Sequence, residues 1–354
     1  MHQIGDYVGI AIGMYYVCRI KRQFISDPWV ATMSQTQFFG EKSASFNGLF
    51  NRKHFGFRHD LVGHPLFQLD RLAELSKTIL TASDGKWSVN HNVLYKPAET
   101  VPNSAKQWDN FKPADIVPEA IRNIRESAAW VLITGADLDP DYRELLNQML
   151  ADGERSCGTE YRDDIIWSTL SILVGSPNSV THYHVDSESN FLFQIHGHKE
   201  AHLFDADDRT IIKEEDIERF LAVSDAHIKF HPDFEKKATV YELRAGDGIH
   251  IPPYAGHWVR NLSQYSVTAT ALFYTREATD RAWVYQCNHV LRSFGFKPTP
   301  PGQTVNVDLF KKGLIKALST SRPQNKYDHL RSGVRWLTAP SRILGKFTNK
   351  RARA

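Results

Sequence analysis

The chain has 354 residues, of which 42% are hydrophobic, 12% aromatic and 23% charged. That composition excludes a collagen-like or low-complexity polymer and leaves apolar material for one large domain or two ordinary ones. The net charge of +3 hides an asymmetry: from Lys311 onward twelve Lys or Arg face one acid, Asp328, so this segment carries roughly +11 and the rest roughly −8.

A basic tail can bind nucleic acid, but no helix-turn-helix or zinc-finger pattern accompanies it, and a solvated terminus is the expected reading. Cys18, Cys157 and Cys287 lie far apart, without zinc spacing. They argue for plain thiols in a reducing, cytoplasmic compartment.

Residues 1–32 read as an extension. The apolar run Tyr7–Cys18 is short for a membrane span. Its basic residues Arg19, Lys21 and Arg22 follow the run, unlike those of a signal peptide. Neither secretion nor an integral span is expected, and Met33 is an alternative start. Residues 33–160 read as mainly helical. Leu66, Leu69, Leu72, Ala73, Leu75 and Ile79 recur at helical spacing, which predicts a helix over 66–80. A second helix is expected from Pro118, and Asp139-Pro140 reads as the capped start of a third.

The pattern changes near residue 161. Ile166–Val174 is rich in β-formers and ends at the turn signal Gly175-Ser176-Pro177-Asn178-Ser179. Short strands are then expected over 180–185, 191–195, 200–204, 239–243, 248–251, 257–261 and 266–274, with one helix over 214–223. So many short strands predict a mainly β fold with flanking helices, a jelly roll over 161–275. Helices over 276–291 and 305–318 should follow, then a basic tail over 319–354.

The chemistry concentrates in Thr181-His182-Tyr183-His184-Val185-Asp186. His184 and Asp186 are two apart and share one face of a strand. His257, far downstream in a turn-rich segment, could return a third ligand. Two histidines and a carboxylate with open positions suit non-haem Fe(II). The same strand offers a rival set, His182, His184 and Glu188 with His257, of the kind used by simpler metal-binding cupins on small molecules.

The wider run T-x-x-H-x-D-x-x-x-N-F-x-x-Q-I-x-G-x-K-x-x-x-L-F, from Thr181 to Phe204, resembles the JmjC family of Fe(II)- and 2-oxoglutarate-dependent oxygenases, above all its hydroxylase branch. Gly246–Leu262 is similar to the family's second signature, G-D-x-x-x-I-P-x-x-x-x-H-x-V-x-N-L.

The resemblance covers residues 165–275 closely and implies a double-stranded β-helix of the cupin type. It implies that His184, Asp186 and His257 hold Fe(II). Lys199 and Thr181 would bind the far carboxylate of 2-oxoglutarate, and Asn190 would lie beside that cosubstrate. Where the asparaginyl hydroxylases have a second asparagine, this chain has Ala271, so cosubstrate contacts are expected to differ there. The implied activity is hydroxylation of a protein or peptide side chain. N-demethylation, a small-molecule substrate and a non-catalytic, nucleic-acid-associated role are the alternatives. The helices after the barrel imply a possible homodimer.

Overall fold

A computed structural model describes residue 46 and residues 48–82, 92–98, 116–222 and 228–318. The expectations for residues 1–32 and 319–354 lie outside these, as does Cys18. All described residues fall within the unit Gln37–Ala354. Among them, no helix is long and apolar enough to cross a membrane, and Cys157 and Cys287 are free thiols.

Eleven strands are described: β1 (Phe55–Arg58), β2 (Asn92–Pro97), β3 (Ala129–Thr134), β4 (Ile165–Gly175), β5 (Val180–His184), β6 (Ser189–His196), β7 (His198–Leu203), β8 (Thr239–Arg244), β9 (Asp247–Ile251), β10 (His257–Asn261) and β11 (Ser266–Thr275). They form two antiparallel sheets, ordered β1-β9-β6-β11-β4-β3-β2 and β5-β10-β7-β8. From β4 to β11 the strands alternate between the sheets, apart from the β7–β8 pair within the smaller one, as in a jelly roll.

Residues 33–160 are less helical than the sequence suggests, because β1, β2 and β3 lie there and extend the larger sheet on both sides. The run AWVLIT of β3 carries three β-branched residues and pairs with β4 over Trp130–Ile133. Short strands among helical patterns give little periodicity of their own, and tertiary pairing decides them.

The helices are α1 (Leu69–Ala82), α2 (Val117–Arg122), α3 (Pro140–Cys157), α4 (Glu214–Ala222), α5 (Arg276–Ser293) and α6 (Val305–Leu318). Asp139 caps α3 by accepting from the Asp141 N–H at 3.0 Å. The apolar stripe Leu72, Leu75 and Ile79 of α1 and Tyr142, Leu146 and Met149 of α3 join the outer face of the large sheet, with Ile172, Phe191, Phe193 and Phe273, in one core. A second core covers the outer face of the small sheet, where Tyr183, Phe204 and Trp258 meet Tyr285 and Ala282 of α5. The space between the sheets holds a smaller apolar cluster of Leu192, Ala201, Leu203, Leu243, Ile249, Ile251 and Val259. That leaves room in the same interior for polar side chains.

Candidate metal and anion site

His184 ends β5, Asp186 follows it in the turn, and His257 opens β10 directly opposite His184. Their ligand atoms all lie within 4.8 Å of one another. The imidazole rings are 4.1 Å apart between centroids, and Nε2 of His257 is 3.8 Å from a carboxylate oxygen of Asp186.

Both rings are oriented from behind. His184 Nδ1–H donates to the His182 carbonyl at 2.7 Å, and His257 Nδ1–H to that of Ala255 at 3.0 Å. Each Nε2 lone pair is therefore turned toward the cluster. Burial, reinforced by the neighbouring His184, pushes His257 down to about 4, so it stays neutral and able to ligate at physiological pH.

The turn before His257 is tightly set. Tyr254 adopts φ 66°, a left-handed conformation rare for a bulky residue. Its N–H donates to the Asp186 carbonyl at 2.7 Å, tying the two ligand-bearing turns together. Gly256 lies against the Tyr183 ring; a Cβ there would stand 2.3 Å from the phenol oxygen.

The pairing of β5 with β10 explains how Thr181 joins this site. His257 faces His184, but Val259 faces Thr181, so two steps on β10 match three on β5. The extra residue is a bulge, and it reverses the alternation beyond it. Thr181 thereby returns to the same inner face as His184, although they are three positions apart. Its hydroxyl accepts from the Trp130 indole N–H at 2.9 Å. Val180 and Tyr183 turn outward into the core beneath α5.

Lys199 enters the interior from β7, opposite Asn261 of β10. Gly197 makes this possible: at φ 84° it closes the β6–β7 turn, where a Cβ would stand 2.2 Å from the Tyr265 carbonyl oxygen. The lysine side chain is 0% exposed. Its ammonium donates to the Thr268 hydroxyl at 2.5 Å, and Thr268 donates to Gln194 Oε1 at 2.9 Å. Burial pushes Lys199 down to about 7. A cation placed here with only a hydroxyl for company is costly unless an anion joins it. Asn190 of β6 is also buried on the inner face, and its Oδ1 has no hydrogen-bond partner among the described residues.

Among the described residues, the only group of three or more ligand-type side chains with this proximity is His184, Asp186 and His257. His182 and Glu188 are buried but do not join it, so the rival ligand set is not gathered. Nor do His196, His198 and His202 form a second cluster. His250 is structural: its Nε2 accepts from the Asn51 N–H and its Nδ1–H donates to the Asn190 carbonyl, both at 3.1 Å. Ala271 corrects an expectation. It pairs with Leu170 and Phe191 and points into the outer core, so Thr270 and Leu272 hold the inward positions and Ala271 alters no contact inside the barrel.

Trp130 escaped the sequence reading. Its signal was the β-forming run around it, but nothing local linked it to Thr181, 51 positions away.

The donor set fits a divalent iron-type ion, with two neutral imidazoles, one carboxylate and open positions on the remaining side. The buried Lys199 suits a dianionic ligand reaching from that ion into the barrel.

A search of curated proteins finds no match. Among solved structures, the X-ray structure of E. coli ycfD aligns at 13% identity and TM-score 0.41, covering 79% of this chain and 67% of that one. The E. coli ribosomal oxygenase YcfD aligns at 13% identity and TM-score 0.40, covering 79% and 66%. The same protein in complex with cobalt and 2-oxoglutarate aligns at 11% and 0.39, covering 77% and 64%. The chain thus spans about two thirds of their length, and scores this low do not by themselves assign an activity. The cupin-like domain family matches residues 81–279. That match takes in more than half of the sequence, including both ligand-bearing turns and Lys199, and the chain belongs to the cupin-like domain family.

Proposed function

We propose that the protein is an Fe(II)- and 2-oxoglutarate-dependent oxygenase that hydroxylates a side chain of a protein or peptide. The observation that carries this reading is Lys199: a fully buried lysine, partnered by a hydroxyl, on the same inner face as the three-ligand cluster. A metal site alone would fit many cupins. A buried cation beyond it asks for a chelating ligand with a second negative end, and 2-oxoglutarate has that shape.

In this reading His184, Asp186 and His257 hold Fe(II). Lys199 and Thr181 grip the far carboxylate, and Asn190 offers a further polar contact. Bound iron and 2-oxoglutarate supply the oxidising chemistry, consuming O₂ and releasing succinate and CO₂. The chain's own part is positional. The His182 and Ala255 carbonyls keep both imidazoles in the ligating tautomer, and the apolar wall of Leu192, Ala201, Val259 and their neighbours limits water around the reacting centre. The choice of a protein side chain rests on the similarity of both sequence signatures to the hydroxylase branch.

Anaerobic titration with Fe(II) or Mn(II), followed by succinate detection in air, tests the assignment. Asp186→Ala should abolish metal binding and succinate formation, whereas Glu188→Ala should retain metal binding. The opposite pattern would transfer the site to the His182/Glu188 set and defeat the proposal. In mass spectra of reacted peptides, gain of one oxygen atom marks hydroxylation, and loss of a methyl group marks demethylation instead.

A further inference from the structure

Two strands outside the jelly roll proper, β2 and β3, send side chains to its inner wall. Lys96 of β2 stands directly opposite Trp130 of β3, which stands opposite Gly175 of β4. Cross-strand partners share a face. The inner side of this row is fixed by Gly175, where a Cβ would meet Asn261 and Ser179. Lys96 and Trp130 are 4% and 3% exposed. The Lys96 ammonium lies 4.9 Å from the centre of the indole, and the indole N–H points at Thr181 Oγ1, 2.9 Å away. A chain of contacts therefore runs from a buried cation through an aromatic ring to a hydroxyl inside the barrel.

The polarity of this chain is fixed by chemistry. Indole nitrogen only donates, whereas a threonine hydroxyl has one hydrogen and two acceptor lone pairs. Trp130 thus occupies an acceptor position of Thr181 Oγ1 and turns the hydroxyl hydrogen elsewhere. A hydroxyl free to rotate could present a lone pair to an incoming carboxylate; this one is set to present its hydrogen. Accepting one bond polarises the O–H for the next. The cation over the indole face holds the ring plane and draws charge from it, which strengthens the N–H as a donor.

We infer that Trp130, supported by Lys96, is a positioning residue that fixes the Thr181 hydroxyl as a donor toward the far carboxylate of a dicarboxylate ligand. The inference rests on the 2-oxoglutarate reading of the site and adds to it the residues that make Thr181 selective. The consequence is specific: the pair governs how well a ligand with a distant carboxylate binds, and leaves metal affinity and chelation alone.

Calorimetric titration of the full chain loaded with Mn(II), under argon, tests this with two probes. 2-Oxoglutarate reaches the barrel wall, whereas oxalate chelates the metal and has no far carboxylate. Trp130→Phe should weaken 2-oxoglutarate about tenfold, in keeping with one charge-assisted hydrogen bond, and leave oxalate and Mn(II) affinity unchanged. Lys96→Met should weaken 2-oxoglutarate about threefold with the same selectivity. In a Thr181→Val background, Trp130→Phe should add less than about twofold, because it acts through the missing hydroxyl. Unchanged 2-oxoglutarate affinity in Trp130→Phe and Lys96→Met, equal losses for oxalate, or losses that multiply with Thr181→Val would each overturn the inference while leaving the oxygenase reading intact. Failure of the wild-type protein to bind 2-oxoglutarate while it binds Mn(II) and oxalate would overturn both.

Discussion

In the proposed oxygenase, Lys199 trades stability for ligand binding. Its ammonium is buried beside Thr268, and its pKa is pushed down to about 7 from 10.5. In the ligand-free protein the unfolded chain therefore holds a proton that the folded chain releases, between about pH 7 and 10.5. Stability attributable to this residue rises with pH through that window. A bound dicarboxylate reverses the preference, because the charged form is then paired. Binding above pH 7 should take up a proton, and 2-oxoglutarate affinity should fall as pH rises from 7 to 9, whereas oxalate affinity should not follow. Lys199→Met makes the trade visible. It should reduce 2-oxoglutarate affinity at least a hundredfold, as loss of a buried charge partner does, while the ligand-free protein melts at or above the wild-type temperature. A lower melting temperature for the variant would show that Lys199 has a stabilising partner in the free protein.

The two ligand-bearing turns are built by different devices. The β5 bulge puts Thr181 and His184 on one face, and the strained Tyr254 turn brings His257 to meet them. Gly256 is the tightest point, since its missing side chain admits the Tyr183 phenol. Gly256→Ala should destabilise the fold by about 1–3 kcal/mol through overpacking and weaken Mn(II) binding by displacing His257. Denaturant unfolding with and without EDTA separates the two effects, and a wild-type midpoint in both would show that the contact is dispensable. These devices also mark what the sequence could convey. The short runs rich in β-formers, separated by turn residues from 165 to 275, made the jelly-roll strands readable. The proximity of His184, Asp186 and His257 was readable because they fall in two short signatures. The bulge was not, because alternation alone places Thr181 opposite to His184; only the family pattern brought them together. Trp130 and Lys96 were invisible for a different reason. Their link to the site is a pairing of distant strands, and neither segment signals its partner locally. Ala271 was misplaced by one step of alternation, which in a strand exchanges interior for exterior.

Across the molecule, neutral buried histidines join the N-terminal segment to the barrel. His59, just beyond β1, accepts from the Leu61 N–H through Nδ1, while its Nε2–H bonds the Gln194 and Asp247 carbonyls at 3.1 Å. His250 fixes the turn at Asn51 and stacks on Phe50, 5.2 Å away. Burial pushes His59 down to about 4 and His250 to about 3. Both ordinarily titrate near 6.5, so on acidification the unfolded chain takes up protons that the folded chain refuses. Stability present above pH 6.5 is then lost as pH falls toward 4, at about 1.4 kcal/mol per pH unit for each histidine. His257 adds to this in metal-free protein, for the same reason. The EDTA-treated protein should thus lose stability steeply from pH 6.5 downward, beginning before most carboxylates titrate. Urea unfolding at half-unit pH intervals measures the slope. His250→Gln, which keeps an amide donor and acceptor but cannot titrate, should lower the slope by about one proton while costing stability at pH 7.5. An unaltered slope in that variant would assign the acid sensitivity to His59, His257 or groups elsewhere, and would detach His250 from the balance that holds Asn51 and Phe50 against the barrel.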